Sequence, residues 1–203
     1  AARANSYQID WSAYTPPKPA VTGTRVFAEY PLHELIERID WTPFFRAWEL
    51  AGTYPSILED KVVGESAKKL YADARKMLDH IVREKWLTAK GVVTFWPCRR
   101  DGDDVVLYTD ESRTKELSRL YFLRQQIEKR SGRANMCLAD FISPEADWIG
   151  GFAVTAGHGI EEHLARFRAD HDDYSDILLK ALADRLAEAF AERLHERVRK
   201  TLW

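Results

Sequence analysis

The feature that most constrains the fold is the stretch at residues 171–203, which contains neither glycine nor proline. It is dense in alanine, leucine, glutamate, arginine and lysine, which are the strongest helix formers. Its apolar side chains recur every four positions, at Tyr174, Leu178, Leu182, Leu186, Phe190, Leu194, Val198 and Leu202. One helix over this stretch would be roughly 45 Å long at about 1.5 Å per residue, longer than most helices of globular domains. We therefore expect the rest of the chain to pack around it.

The predicted helix also carries two acidic residues four positions apart, Asp184 and Glu188, which share one helical face. The plainer interpretation is a solvated, charged face, with Arg185, Arg193 and Arg197 nearby. The alternative is a pair of carboxylates that look into a cleft and hold a cationic or hydroxyl-bearing ligand. Spacing alone favours the solvated face.

Composition and length exclude several classes of function. The chain has 203 residues and a formal net charge of −2, which fits one domain and gives no reason to expect a nucleic-acid or membrane partner. No apolar run is long enough for a transmembrane helix, and the N-terminus lacks the basic-then-apolar order of a signal peptide. The two cysteines match neither a zinc spacing nor a disulfide framework, so a cytoplasmic location is expected.

Residues 1–20 are predicted to form a linker or a strap over a domain surface. Three prolines lie within positions 14–20, and each fixes the backbone and removes a hydrogen-bond donor. The domain itself is expected to span residues 21–203.

Periodicity along the chain predicts an α+β fold. Helices are predicted from Pro31 onward, at 64–84 and at 160–168, ahead of the long C-terminal helix. Strands are predicted at 24–29, 92–96 (ending at Pro97), 105–108, 137–142 and 148–155, with turns or loops at 101–102 and 131–132. The turn at 101–102 is expected to join two of these strands in an antiparallel hairpin. Residues 111–126 are compatible with either a helix or a strand. This order lacks regular βαβ alternation, which favours a largely antiparallel, twisted sheet packed against long helices in a single domain.

Asp40 is predicted to lie at a junction between two short helices, beside Trp41. Thr42 is a candidate cap for the second of these helices, with Pro43 at its first position. Backbone N–H groups at such a junction are free to hold an anion, while the structural alternative for Asp40 is a helix-capping role. The local sequence favours the capping role.

Several ordered segments resemble the activation domain of cobalamin-dependent methionine synthase. They are IDWTPFFRAWELAGTYPSILED at 39–60, VVGESAKKLYADARKML at 62–78, GDDVVLYTDESRT at 102–114, LRQQ at 123–126, CLADF at 137–141, IGGFAVTAG at 149–157 and the long helix from residue 171. The resemblance covers nearly the whole chain from about residue 5, and it favours a strand at about 117–123 within the ambiguous 111–126 stretch.

The resemblance implies binding of S-adenosylmethionine, the methyl donor for reductive methylation of cobalamin in methionine biosynthesis. It places Asp40, in the intact IDW motif, and Glu188 in contact with that ligand, and Asp184 near the interface with the cobalamin-binding domain. The cobalamin would be held by that partner domain, and a flavodoxin or a related flavin reductase would supply the electron. The activity would be that of a methyltransferase, and the isolated chain is expected to be inactive by itself.

One departure from the family pattern matters for ligand binding. The family's Arg-x-x-x-Gly-Tyr ligand motif follows the long helix, whereas this chain stops at Trp203 within a helical pattern. We therefore expect a domain that lacks its C-terminal part and binds S-adenosylmethionine weakly or not at all. The alternative is a shortened interaction module that binds no ligand and docks on a cobalamin-binding or flavodoxin-like partner.

Overall fold

The computed structural model of the chain describes residues 2–130 and 132–203, so Ser131, in the loop predicted at 131–132, lies outside the described residues. The helices are α1 (His33–Ile36), α2 (Trp41–Ala47), α3 (Gly64–Arg83), α4 (Ile160–Ala169) and α5 (Asp173–Arg197). The strands are β1 (Gly23–Tyr30), β2 (Thr88–Asp101), β3 (Asp104–Tyr108), β4 (Glu116–Tyr121) and β5 (Asp147–His158). Short 3-10 helices occupy Ala2–Asn5, Ser56–Glu59 and Leu138–Phe141, and a π-helical turn occupies Val198–Leu202.

The strands pair into one sheet in the order β1-β2-β3-β4, and β5 also pairs with β2. β2 and β3 form the predicted antiparallel hairpin, in which Asp101 faces Asp104 across a tight turn. Gly102, with a φ of 64°, supplies the left-handed backbone that this turn requires. β4 continues the antiparallel pairing, with Arg119 opposite Val106. The prediction of an α+β fold with a largely antiparallel sheet and long helices is confirmed.

The chain divides into two compact units, each defined by contacts among its own residues. The first unit comprises Ala1–Arg25, Val93–Phe152 and Arg199–Trp203, and the second comprises Val26–Val92 and Ala153–Val198. Each has its own buried interior, so each is described separately below.

The interior of the first unit is a cluster of small and branched side chains from β2, β3 and the 137–142 segment. Its buried members are Cys98, Val105, Leu107, Cys137 and Ala139. The prediction of a strand at 137–142 is wrong, because Leu138–Phe141 forms a 3-10 helix. Its turn is closed by Asp140, whose carboxylate accepts a hydrogen bond of 2.9 Å from the backbone N–H of Cys137. A polar side chain that satisfies a local backbone donor favours a turn over an extended strand.

The strand predicted to stop at Pro97 instead continues through it to Asp101. The antiparallel register between β2 and β3 begins at Cys98, which pairs with Leu107, so Pro97 lies just before this ladder. The missing N–H of the proline therefore removes no donor from the ladder with β3, which explains why the strand is not interrupted there.

The interior of the second unit is organised around α5, which contacts α1, α2, α3 and α4. Its side chains are buried on more than one face, with Leu179, Leu182, Leu186, Phe190 and Leu194 fully enclosed. The predicted long helix is confirmed, although its last turn is π-helical. Asp172 caps its N-terminus by accepting a hydrogen bond of 2.9 Å from the backbone N–H of Ser175. No helix within the described ranges is both long enough and apolar enough to cross a bilayer.

We expect both cysteine thiols to be inert in the folded chain. Cys98 and Cys137 are free and buried, and burial, followed by the nearby Asp147 carboxylate, raises the pKa of Cys98 to about 12. Because the thiolate is the reactive form, Ellman's reagent at pH 8 should label neither thiol quickly under native conditions. The same reagent should label both rapidly in concentrated guanidinium chloride. Fast labelling of one thiol in the native chain would contradict the assignment.

Candidate functional site

Asp40 is the N-cap of α2, and it lies exposed between two buried neighbours, Ile39 and Trp41. Its Oδ1 atom accepts a hydrogen bond of 2.9 Å from the backbone N–H of Thr42. The prediction that Thr42 caps this helix is therefore wrong, and Pro43 occupies the third helical position instead of the first. The Thr42 hydroxyl has another task, since it accepts a hydrogen bond of 3.1 Å from the backbone N–H of Tyr54.

The capping interaction uses one oxygen of the Asp40 carboxylate. No hydrogen bond reaches Oδ2 from any residue that the structure describes, so this oxygen faces solvent with its charge available. The position of the carboxylate is well defined because Trp41 is anchored in the core. The ring centroid of Trp41 lies 5.3 Å from that of Phe44 and 4.8 Å from that of Tyr71, and both pairs are packed edge to face.

Asp184 and Glu188 lie on one face of α5, as their spacing predicts, and both bind Arg185. The guanidinium donates bonds of 2.8 Å to each carboxylate oxygen of Glu188 and one of 2.6 Å to Asp184. The acidic side chains are 68% and 61% exposed, whereas that of Arg185 is only 10% exposed. This arrangement matches the interpretation of a solvated, charged helix face.

Burial by itself would lower the pKa of the Arg185 guanidinium, but the hydrogen bonds that it donates to Asp184 and Glu188 outweigh burial and raise the pKa. The arginine is therefore a fixed positive charge at the base of the acidic pair. With one arginine between two carboxylates, the group carries a net negative charge and presents it to solvent. Chemically, such a surface favours cationic ligands.

The segment that carries Asp40 is anchored on α5 near both of its ends. On the N-terminal side of Asp40, Nη2 of Arg38 lies 2.7 Å from Oε2 of Glu196. On its C-terminal side, the ring centroids of Trp48 and Tyr174 are 5.2 Å apart. The segment from Arg38 to Trp48 thus runs antiparallel to α5, from near its end to near its start. Asp40 is close in sequence to the first of these two anchors, and no hydrogen bond or ion pair among the described residues joins it to Glu188.

Sequence reasoning missed the residues that hold this segment on α5. Glu34 accepts hydrogen bonds of 2.8 and 3.1 Å from the Arg193 guanidinium, and this pair works alongside that of Arg38 with Glu196. The hydrogen bonds from Arg193 are the main reason that the pKa of the Glu34 carboxyl is lowered. Because about 160 residues separate the partners, no local pattern could reveal them. The role of Arg185 was more accessible, since Arg185 and Glu188 have the i, i+3 spacing of a helical ion pair.

Comparison with known proteins identifies the family of this α+β chain. Residues 31–203 match the family described as "Vitamin B12 dependent methionine synthase, activation domain". A solved structure entitled "Crystal Structure of the MetH Reactivation Domain bound to AdoHcy" is 52% identical in sequence and superposes with a TM-score of 0.94. That similarity covers 100% of this chain and 63% of the other, so the chain spans less than two thirds of that protein's length.

The chain therefore belongs to the activation-domain family of vitamin B12 dependent methionine synthase. The family that the sequence motifs indicated is confirmed.

Proposed function

We propose that this chain is a reactivation domain that binds S-adenosylmethionine through Asp40 and Glu188. The proposal is supported by the 52% sequence identity to a structure bound to AdoHcy, in a chain whose Asp40 and Glu188 are both exposed to solvent. AdoHcy is S-adenosylmethionine without its transferable methyl group, so a site for one has the shape required by the other.

The charges of the ligand suit these two residues. S-adenosylmethionine carries a sulfonium and an ammonium cation, and charge-assisted hydrogen bonds from an ammonium group to a carboxylate are among the strongest in proteins. Asp40 offers its Oδ2 oxygen without giving up the cap of α2. Glu188 offers a carboxylate that is already aligned by Arg185.

Arg185 sets the conditions under which Glu188 can bind a cation. Both oxygens of Glu188 accept hydrogen bonds from Arg185, so an arriving ammonium group must share or displace them. Asp184 would keep the buried guanidinium neutralised during that exchange, because it holds its own bond of 2.6 Å. Asp184 thereby prevents an unpaired buried charge, whose cost would otherwise oppose ligand binding.

In the whole protein, the ligand's methyl group would be presented to cobalamin bound by a partner domain. The cobalamin supplies the methyl-transfer chemistry, while this chain binds and orients the methyl donor. We further propose that Asp184, which is 68% exposed, contacts the cobalamin-binding domain, and that a flavodoxin-type protein or flavin reductase supplies the electron. The setting would be methionine biosynthesis in the cytoplasm.

Titration of S-adenosylmethionine into the chain, with saturation-transfer NMR to detect weak binding, tests the proposal. Asp40→Asn removes the negative charge but retains a good N-cap residue. Glu188→Gln removes the negative charge of the side chain on α5. Each should weaken binding about tenfold or more, the usual effect of losing a charge-assisted hydrogen bond. The matched control is Glu192→Gln, an exposed acid one turn further along α5, which should leave affinity unchanged.

Equal loss in the control and the two site variants would contradict the assignment of Asp40 and Glu188. A complete absence of saturation transfer from the ligand would instead favour the docking-module alternative. That alternative predicts a complex with a flavodoxin-like or cobalamin-binding protein that forms without S-adenosylmethionine.

A further inference from the structure

The carboxylate of Asp40 is held by a residue that is itself tied to another part of the second unit. That residue is Thr42, which is half-buried in the first turn of α2 and donates its backbone N–H to Oδ1 of Asp40 at 2.9 Å. The hydroxyl of Thr42 accepts a hydrogen bond of 3.1 Å from the backbone N–H of Tyr54. One threonine thus connects the Asp40 carboxylate with residues 53–57, referred to below as the Tyr54 turn.

The Tyr54 turn has fixed contacts of its own. The carbonyl oxygen of Thr53 accepts hydrogen bonds of 2.8 Å from both the backbone N–H of Ile57 and the hydroxyl of Ser56. The Ile57 side chain is buried, at 2% exposure, which anchors the end of the turn in the core. The Tyr54 N–H is therefore presented to Thr42 by a backbone that is held in place.

Aromatic packing joins the same turn to α3. The Tyr54 ring is stacked on Phe45, with centroids 6.4 Å apart, and the hydroxyl oxygens of Tyr54 and Tyr71 are 3.3 Å apart. Tyr71, on α3, also packs edge to face against Trp41, which immediately precedes Thr42. The first turn of α2 is thus fixed through two contacts, one from the Trp41 ring to α3 and one from the Thr42 hydroxyl to the Tyr54 turn.

The cap of α2 does not by itself require the Thr42 hydroxyl. An N-cap carboxylate accepts a hydrogen bond from a backbone N–H of the first turn, whatever side chain that turn carries. The hydroxyl serves the Tyr54 N–H instead, and without it this donor would lack its acceptor. The Tyr54 turn and the first turn of α2 would then be free to separate, and the Asp40 carboxylate would move with the helix.

We propose that Thr42 is a positioning residue for ligand binding, because its hydroxyl sets where the Asp40 carboxylate lies. The inference rests on the proposed function, in which Asp40 binds a cationic group of S-adenosylmethionine. Thr42 acts through Asp40 and makes no contact with the ligand. Groups that bind a ligand are kept in productive geometry by the hydrogen bonds of the residues behind them, so loss of the Thr42 hydroxyl weakens binding even though Asp40 keeps its charge.

Titration of S-adenosylmethionine into three variants of the chain tests this role. Thr42→Val keeps the branched shape but removes the acceptor, and it should weaken binding about fivefold, the usual effect of one lost hydrogen bond. Thr42→Ser keeps the hydroxyl and should bind within about twofold of wild type. Thr24→Val is the matched control, because it removes a hydroxyl that bonds to Thr94 at 3.1 Å in the first unit, and it should leave affinity unchanged.

Combining Thr42→Val with Asp40→Asn separates positioning from a general loss of structure. If Thr42 acts through the Asp40 carboxylate, Thr42→Val should change affinity by less than about twofold once Asp40→Asn is present. An equal effect of Thr42→Val with and without Asp40→Asn would overturn the proposal. Failure of Thr42→Ser to retain the affinity that Thr42→Val loses would overturn it as well.

The amide proton at position 42 provides a readout that needs no ligand. In ¹H–¹⁵N NMR of the wild-type chain and of Thr42→Ser, it should show the small temperature coefficient of a hydrogen-bonded amide. Thr42→Val should make this coefficient steeper, because the contact with Asp40 loosens, and an unchanged coefficient would overturn the positioning role. If the coefficient changes as expected but affinity does not depend on Asp40, the proposed function fails and the control of the Asp40 carboxylate by Thr42 stands.

Discussion

Replacing Arg124 with methionine is expected to lower the free energy of unfolding by about 3–5 kcal/mol, the cost of breaking a buried ion pair from one side. The Arg124 side chain is 3% exposed, and its guanidinium donates bonds of 2.6 and 2.7 Å to the two oxygens of Asp140. A third short bond, 2.7 Å long, reaches Asp103. Methionine keeps much of the side-chain length but leaves Asp140, at 1% exposure, with only the longer ion-pair contact of 3.8 Å to Arg100.

Urea denaturation of the wild-type and variant chains measures this effect. Arg119→Met is the matched control, because Arg119 pairs with Asp101 and Glu116, whose side chains are about half exposed. Surface pairs of this kind contribute about 0–1 kcal/mol, so this variant should remain close to wild type. Adding Asp140→Asn to Arg124→Met should recover part of the loss, because it removes a buried charge that has lost its two short ion-pair contacts. A change below about 1 kcal/mol in Arg124→Met would refute the prediction.

Acid titration provides a second readout of the same pair. The hydrogen bond from Arg124 is the largest cause that lowers the pKa of Asp140 in the folded chain, and burial opposes it. A carboxyl with a depressed folded pKa stabilises the fold above its unfolded pKa of about 3.9, and this contribution is lost as the pH falls further. The wild-type chain should therefore lose stability below about pH 4, and the Arg124→Met variant should lose less over the same range.

Replacing Phe190 with alanine is expected to destabilise the second unit by about 3–5 kcal/mol, the range for truncating a fully buried aromatic ring. Phe190 is fully buried on α5, and its ring lies 4.4 Å from that of Tyr30. Gly91 on β2 allows the ring to approach, since a Cβ atom there would lie 2.8 Å from Cζ of Phe190. The alanine variant would leave a cavity that the side chains around Phe190 fill only in part.

Thermal or urea unfolding measures the cost, and a double variant tests its cause. Gly91→Ala alone should destabilise the chain through its clash with the Phe190 ring. When Gly91→Ala is made in the Phe190→Leu variant, the smaller leucine leaves room for the new Cβ atom. There it should lower the free energy of unfolding by clearly less than in the wild-type chain. Phe152→Ala is the control, because Phe152 is 42% exposed and its loss should be mild. Additive effects of Gly91→Ala and Phe190→Leu would show that the ring contact is not the cause.

The elements that the sequence predicted well are those fixed by local pattern. α3 and α5 have long helical periodicity, and the β2–β3 hairpin has an Asp-Gly turn, so neighbouring residues contain the required information. The segment at 137–142 was predicted wrongly because its conformation depends on Asp140, which pairs with Arg124, 16 residues earlier and outside the segment. Its apolar composition alone is compatible with either a strand or a turn.

The candidate site shows the same division. The shared face of Asp184 and Glu188 follows from helix geometry, and the capping role of Asp40 follows from its position before a short helix. The spacing also permits the ion pair of Arg185 with Glu188, but the near-complete burial of the Arg185 side chain depends on the packing around α5, which local spacing does not specify. The contact of Asp40 and Glu188 with S-adenosylmethionine stays a prediction that the binding experiment addresses.

The π-helical turn at the end of α5 has a consequence for hydrogen exchange. The backbone N–H of Val21 donates to the carbonyl oxygen of Leu202 at 3.3 Å, and the Trp203 indole donates to the carbonyl oxygen of Pro17 at 2.9 Å. These bonds connect a proline-rich segment, which has few donors of its own, to the last turn of the chain. The Val21 amide is protected by an acceptor in the final turn, so its exchange rate reports on opening of the junction between the two ends of the chain.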